Sequence, residues 1–295
     1  MTATETVSPR FRDLDAWSPA DILQALWQGQ LAAAAAVAQA LPALEQAAEA
    51  ALPRLAAAGR LIYAGAGTSG RIGVQDGAEL PPTFDWPADR LVLLMAGGDQ
   101  AFTRSIENAE DDRAAAAQAI AHHAIGPADV LLATAASGRT PYTTAAAQAA
   151  RARGALTIGI ANSPQGPLLA ACDHPILVET GPEVLAGSTR LQAGTAQKIV
   201  LNLFSTLVMI RLGRVHQGLM VDMQARNEKL RHRALRMLQT LANRPEPDLA
   251  EALEAAGGRV KTAVLILRGL TRPEAEALLQ AHANHLRPAL ASLET

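Results

Sequence analysis

Gly-Ala-Gly-Thr-Ser-Gly-Arg occupies residues 65–71, directly after a strand-like apolar run at 60–64 and at the opening of a helical stretch. Ala-Ala-Ser-Gly-Arg-Thr-Pro-Tyr, at 135–142, has the same setting after the apolar run 129–135. Each reads as the loop at the C-terminal end of a strand, where α/β sheets bind ligands. Each offers small residues, hydroxyls and backbone amides at a helix N-terminus, a setting for an anion and above all a phosphate. Two such loops in one sheet point to a phosphorylated small molecule rather than a polymer. The first loop also fits G-x-G-x-x-G through Gly65, Gly67 and Gly70. A dinucleotide fold, however, places an acid at the end of its second strand, and here that strand ends in Ala96-Gly97-Gly98 with Asp99 starting a helix. The plainest alternative is that these glycines and serines only permit tight turns.

Outward from the loops, apolar runs alternate with helical patterns. Strands are expected at 60–64, 90–96, 129–135, 155–161 and 175–180, and helices at 69–79, 101–123, 141–153 and 167–172. Such alternation builds βαβ units and a parallel sheet flanked by helices, an α/β fold in three layers. Before it, Ser18-Pro19-Ala20-Asp21 has the form of a helix start, opening helices that run to about residue 58 with breaks near Gly29 and Pro53. After it, 191–212 reads as one long apolar helix, packed in the core or against another subunit, and 223–241 as a polar, arginine-rich one. Arg244-Pro-Glu-Pro247 has the look of a linker to three short helices, separated by Gly257-Gly258 and Gly269, with a capping box at Thr271–Glu274. The expected division is an N-terminal helical segment at 1–57, an α/β domain at 58–243 and a small C-terminal helical domain at 244–295.

The composition, 49% hydrophobic and 18% charged with net charge −2, is that of a soluble globular chain. No basic excess favours nucleic acid or a membrane surface. Cys172 is the sole cysteine, so no intramolecular disulfide is possible. Residues 1–17 are polar and carry no apolar signal core, which makes a cytoplasmic location the expectation. The alanine-rich stretch at 31–58 includes Gln, Glu, Pro and Arg and does not read as a membrane span. His282 and His285 lack nearby carboxylate or thiolate partners, and the adjacent His122 and His123 face different directions, so no metal site is expected.

Longer segments carry a resemblance. These are Gly65–Arg71, Glu79-Leu-Pro-Pro-Thr-Phe84, Glu107-Asn-Ala-Glu-Asp-Asp112 and Ala135–Tyr142. With them go Gly181-Pro-Glu-Val-Leu-Ala-Gly-Ser-Thr-Arg190, Gly194-Thr-Ala-Gln-Lys198 and Met220-Val-Asp-Met-Gln-Ala-Arg-Asn-Glu-Lys229. Together, and in this order over roughly residues 20–295, they resemble the N-acetylmuramic acid 6-phosphate etherases. The resemblance implies a sugar isomerase (SIS) fold, a homodimer, and a cytoplasmic lyase of amino-sugar and cell-wall recycling. The reaction implied is cleavage of the D-lactyl ether, giving N-acetylglucosamine 6-phosphate and D-lactate. Two carboxylates can carry the elimination without a cofactor, and a straight helix over 69–79 is long enough to suggest a site that two chains share. The family commonly reads Asp-Ala-Ser-Glu-Cys-Pro-Pro-Thr-Phe where this chain has Asp76-Gly-Ala-Glu-Leu-Pro-Pro-Thr-Phe84; the glutamate is retained and its neighbours differ.

The resemblance makes Glu79 the acid that protonates the leaving lactate and Glu110 the base at C2. Read from the residues alone, Glu79 closes a helix before Pro81-Pro82 and Glu110 lies on a charged helix face, both ordinary places for solvated acids. Substrate contacts are expected from Gly67, Thr68, Ser69, Ser137, Gly138 and Thr140, with Arg71 and Arg139 as phosphate partners or structural ion pairs. Glu183, Ser188 and Thr189 lie in a further glycine-containing loop, and Lys198 on the apolar helix is either a site residue or one that snorkels to water. A phosphosugar isomerase of the same fold needs only the base at C2. A non-catalytic phosphosugar sensor, like the glucokinase regulatory protein, needs neither carboxylate.

Overall fold

The unbroken apolar runs become strands because both of their faces are covered. In the computed structural model, which describes residues 3–225, 227–242 and 244–294, β1 (Leu61–Gly65), β2 (Leu91–Met95), β3 (Val130–Thr134), β4 (Leu156–Ala161) and β5 (His174–Leu177) pair in parallel in the order β2-β1-β3-β4-β5. The chain divides into two compact units, Met1–Ala78 with Ala88–Ser205, and Glu79–Pro87 with Thr206–Thr295.

The first unit holds the sheet, α1 (Pro19–Ala36), α2 (Leu41–Ala56), α3 (Gly67–Ala78), α5 (Arg113–His122), α6 (Pro141–Ala152), α7 (Pro167–Ala171) and α8 (Gln192–Arg211) as far as Ser205; α4 (Leu80–Phe84) belongs to the second. Alternate strand residues face opposite layers. Ile62, Ala64, Leu131 and Ala133 join a core with Ile120, Tyr142, Ala146, Ala150 and Leu168 of α5, α6 and α7. On the other face α3 approaches so closely that a Cβ on Gly77 would meet Leu93 Cδ2 at 2.8 Å. The result is the expected three-layer parallel sheet.

β1 pairs with β2 on one side and β3 on the other, so the order reverses between β1 and β3. Open α/β sheets bind ligands at that switch point, outside the C-terminal ends of the strands. Gly65 stands in register with Thr134, so the loops after β1 and β3 leave the sheet side by side. The opposite end is tied by arginines. Arg60 donates to Asp129 from its amide at 3.1 Å, from Nε at 3.0 Å and from Nη2 at 2.7 Å, and the Gly126 amide adds a bond of 2.9 Å. Burial opposes the Asp129 charge, but Arg60 and these amides hold its carboxyl below the usual range. Arg54 donates to the carbonyls of Asp129 and Gly154, Arg90 to those of Leu55 and Gly59, and Arg153 to that of Ile125.

Several element boundaries differ from expectation. The helix expected at 101–123 is two 3-10 turns, Asp99–Phe102 and Ala109–Asp111, followed by α5. Asn108 at φ +60° breaks the run, and the Asp112 side chain starts α5 afresh by accepting from the Ala115 amide at 2.8 Å. The N-terminal helices break not at Gly29 or Pro53 but at Val37–Ala40, just before Pro42 in the first turn of α2. Gly29 lies within α1, and its lack of a side chain answers to packing, since a Cβ there would stand 3.0 Å from Val184 Cγ2. Pro53 falls in the last turn of α2.

The second unit contains α9 (Glu228–Ala242), α10 (Glu246–Ala255), α11 (Val260–Ile266), α12 (Arg272–Ala281) and α13 (Leu286–Ala291), so four short helices follow α9 where three were expected. Ala234, Met237 and Leu238 of α9 share one core with Val221, Leu249, Leu253, Val264 and Leu279. The boundary expected at 243/244 therefore falls inside a continuous core, since α9 buries its apolar stripe against the later helices. α8 is long and apolar enough to cross a membrane by length and composition, yet 56% of its most apolar window is buried inside the protein. That burial places part of the helix in the core, while Leu203 and Ile210 stay exposed, so packing against another subunit remains the second of the two expected placements.

Candidate functional site

The loop after β1 turns through Gly67 at φ +53°, the left-handed region that favours glycine. A Cβ on Gly70 would stand 2.7 Å from Gly65 O and 2.3 Å from Met95 Sδ, so only glycine lets α3 begin this close to the strand that feeds it. The loop after β3 turns likewise at Gly138, φ +65°. Its backbone is seated on Gly166, where a Cβ would lie 2.1 Å from Gly138 O, and the Leu168 amide donates to that carbonyl at 3.0 Å. Ser137 Oγ accepts from the Arg139 amide at 3.1 Å, which fixes the hydroxyl oxygen. Thr140 caps α6 by position, but its side chain makes no capping bond.

Between these loops lies a cavity of about 410 Å³, the size of a small-ligand site. Gly67, Thr68 and Ser69 line it from the first turn of α3, and Ser137, Arg139 and Thr140 from the approach to α6. The first amides of each helix have no acceptor within it, so this wall is rich in donors for an anion. Opposite in chemistry are the carboxylates of Glu110 and Asp111, on their 3-10 turn, which line the same cavity. Thr189 completes the set of sequence-expected residues gathered there. Glu5 and Gly187 also contribute; Gly187 belongs to the quoted 181–190 segment, whereas no sequence signal marked Glu5. The Gly187 amide donates to Thr4 O at 2.8 Å, which brings the N-terminal turn over this loop.

Other expected residues stand apart. Arg71 donates from Nε to Ala101 O and Phe102 O at 3.0 and 3.2 Å and from Nη2 to Arg104 O at 2.9 Å. It ties down the segment that leads to Glu110, and together with Gly67 and Glu110 it lines a smaller cavity of about 180 Å³. Gly138 shapes its loop without lining the cavity. Glu183 is fully buried, and its two oxygens accept from the amides of Gln192 and Ala193 at 2.8 and 2.9 Å. It is the N-terminal cap of α8, with a carboxyl pushed up by burial and held back by those two amides. Ser188 does not line the cavity; its carbonyl accepts from the Leu191 amide at 3.0 Å in the turn before α8. Lys198 is exposed on α8. Its charge favours ionisation of Asp76, whose pKa burial nonetheless raises, and which accepts from Tyr63 Oη at 2.8 Å. Glu79 is exposed, at the N-cap of α4 in the second unit. Among the described residues no group of three or more His, Cys, Asp or Glu is arranged to hold a metal ion.

Two family models match the chain: the glucokinase regulatory protein N-terminal SIS domain over residues 43–153 and the SIS domain over residues 113–207. The chain is 50% identical over 288 residues to the N-acetylmuramic acid 6-phosphate etherase of Deinococcus radiodurans, covering 97% of this chain and 94% of that one. It is 45% identical over 290 residues to the etherase of the same name from Streptomyces avermitilis, covering 98% and 93%. Among solved structures it is similar to a phosphoheptose isomerase from Francisella tularensis, with TM-score 0.51 and 19% identity, covering 66% of this chain and 100% of that one. The last likeness speaks to the fold alone.

Proposed function

The chain belongs to the N-acetylmuramic acid 6-phosphate etherase family, and we propose that it cleaves the D-lactyl ether of N-acetylmuramic acid 6-phosphate to N-acetylglucosamine 6-phosphate and D-lactate. The observation that carries this reading is the single cavity that joins two hydroxyl-rich helix starts to the carboxylate of Glu110. The donors of Thr68, Ser69, Ser137 and Thr140 hold the 6-phosphate, and Arg139 adds charge.

The chemistry follows from the substrate. In the open-chain sugar the lactyl ether sits on C3, β to the C1 aldehyde, and the carbonyl acidifies the C2 proton. Glu110 removes that proton. Glu79 protonates the ether oxygen as the C3–O bond breaks, and D-lactate leaves. Water then adds at C3 of the unsaturated aldehyde while a proton returns to C2, so the net change is hydrolysis without redox. A base and an acid with separate duties suffice. A phosphosugar isomerase has no use for the second carboxylate, and a sensor has no use for either.

Helix length bears on where Glu79 acts. α3 has 12 residues, and at ~1.5 Å per residue it spans roughly 18 Å from the phosphate-binding turn to the residue before Glu79. That exceeds the reach from C6 to C3 of a hexosamine. The reading is therefore a homodimer in which Glu79 serves the site of the other subunit. A phosphorylated substrate does not cross a membrane unaided, which fits a cytoplasmic enzyme.

The test is D-lactate release from N-acetylmuramic acid 6-phosphate, together with deuterium uptake at C2 of N-acetylglucosamine 6-phosphate in D₂O. Glu79→Ala abolishes lactate release and retains C2 exchange, since deprotonation needs no leaving group. Glu110→Ala suppresses both. Normal release by both variants would overturn the mechanism, and the reverse pattern would exchange the two roles.

A further inference from the structure

Glu79 stands at the head of a segment too short to hold its own shape. α4 is five residues long, and Pro81-Pro82 lie in its first turn. A helix of this length leaves nearly all of its carbonyls without helical partners. Its shape is imposed from the rest of the second unit. Asp85 turns the chain left-handed at φ +52°, and its amide donates back to Pro81 O at 3.0 Å. Arg214 Nη1 donates to Phe84 O at 2.6 Å and to Asp85 O at 3.1 Å, the two carbonyls at the end of α4. The same guanidinium lies 5.2 Å from the centre of the buried Trp86 ring.

The clamp is itself braced. Asp222 stands 3.6 Å from Arg214 Nη1 and 2.5 Å from Lys261 Nζ. Lys261 is 3% exposed and also donates to Gly213 O at 3.2 Å and to Asn284 O at 2.7 Å. Gln224 Nε2 donates to Asp85 Oδ2 at 2.5 Å. These groups line a polar cavity of about 470 Å³ within the second unit. A polar network this buried is satisfied at each end, and such networks fix one arrangement of the chain. Here the arrangement fixed is that of Phe84 and Asp85, five and six residues after Glu79, at the far end of the short helix that Glu79 opens.

We infer that Arg214, braced by Asp222 and aided by the Gln224–Asp85 bond, is a positioning residue that sets the aim of Glu79 toward the ether oxygen. The inference rests on the assignment of Glu79 as the proton donor. Misplacing a catalytic group by about 1 Å costs on the order of 100-fold in rate.

The experiment measures D-lactate release and C2 deuterium exchange for Arg214→Met, Arg214→Lys and Gln224→Leu in the full-length protein, each alone and with Glu79→Ala. For Arg214→Met the expected result is a fall of roughly 10- to 100-fold in kcat for lactate release. Its KM and its C2 exchange, which needs only Glu110, stay near the wild-type values. Arg214→Lys recovers part of the loss, and Gln224→Leu shows a smaller loss of the same kind; it carries the test if Arg214→Met fails to fold. In the Glu79→Ala background none of the three substitutions lowers C2 exchange or any trace of release that persists. Equal losses of release and exchange would mean general damage and would overturn the positioning role, as would unimpaired release. If Glu79→Ala itself releases lactate normally, it is the proton-donor assignment that fails, and the positioning role falls with it.

Discussion

Replacing Ser137 by Ala removes one hydroxyl from the phosphate wall and leaves the loop's backbone intact, because Gly138 and Gly166 set its course. A hydrogen bond to a charged group contributes about 1.5–3 kcal/mol. Part of this returns in the variant. Ser137 Oγ accepts from the Arg139 amide at 3.1 Å, and once the hydroxyl is gone that amide faces the cavity without its partner. That amide is aimed at the lost hydroxyl rather than at the phosphate, so it makes less than a full bond to the anion and offsets roughly 0.5–1.5 kcal/mol. The balance, about 1–2 kcal/mol, corresponds to a rise in KM of roughly 5- to 30-fold. Because the phosphate is bound alike in ground and transition states, kcat stays within about twofold. The assay is the initial rate of D-lactate release over a range of N-acetylmuramic acid 6-phosphate, repeated with inorganic phosphate as competitor, whose inhibition constant should rise in parallel. An unchanged KM with a large fall in kcat would refute the reasoning and put Ser137 beside the reacting carbons.

Asp129→Ala should lower stability by about 2–4 kcal/mol, discounted for the partial exposure of Arg60, without altering KM at room temperature. The Asp129 carboxyl is held below its ordinary 3.8 in the folded state, so its contribution is present above that value and is lost as pH falls through the folded-state pKa. Thermal melts of both proteins should differ at neutral pH and converge in acid. Gly166→Ala drives a Cβ into Gly138 O, so KM should rise beyond that of Ser137→Ala with a lower melting temperature; wild-type kinetics would show that the loop's seat on Gly166 does not matter. Glu79→Ala and Glu110→Ala proteins, mixed under conditions of subunit exchange, should regain partial activity if one site takes its two carboxylates from different chains. No recovery with exchange confirmed would place both on one chain.

The inner strands β1, β3 and β4 were legible because a buried parallel strand is an unbroken apolar run; the edge strands β2 and β5, only partly buried, also fall within a few residues of expectation. Ser69, Ser137 and Thr140 were legible because phosphate chemistry favours hydroxyls at strand-to-helix turns, and the cavity gathers them. The break before α5 was less so. Alanine-rich sequence suits one long helix, and the left-handed Asn108 that interrupts it is a property of the fold around it. The cap at Asp112, three residues before Ala115, is the local signal that the expected 101–123 helix passed over. Glu183 could not be read from spacing, because the amides that it caps lie nine and ten residues away. Nor could Arg71, whose carbonyl partners lie 30 to 33 residues on. In both cases the chain itself supplies partners that no local spacing shows.

The arginine ties at the N-terminal ends of the strands have a practical meaning. Arg54, Arg60, Arg90 and Arg153 spend their guanidinium groups on carbonyls and on Asp129 at the rim opposite the cavity. Robustness and chemistry are thus lodged at opposite poles of one sheet. A protein engineer seeking heat tolerance has a whole rim to redesign without disturbing turnover. Natural drift at that rim, in the same way, would alter the temperature at which the enzyme survives long before it altered what the enzyme eats.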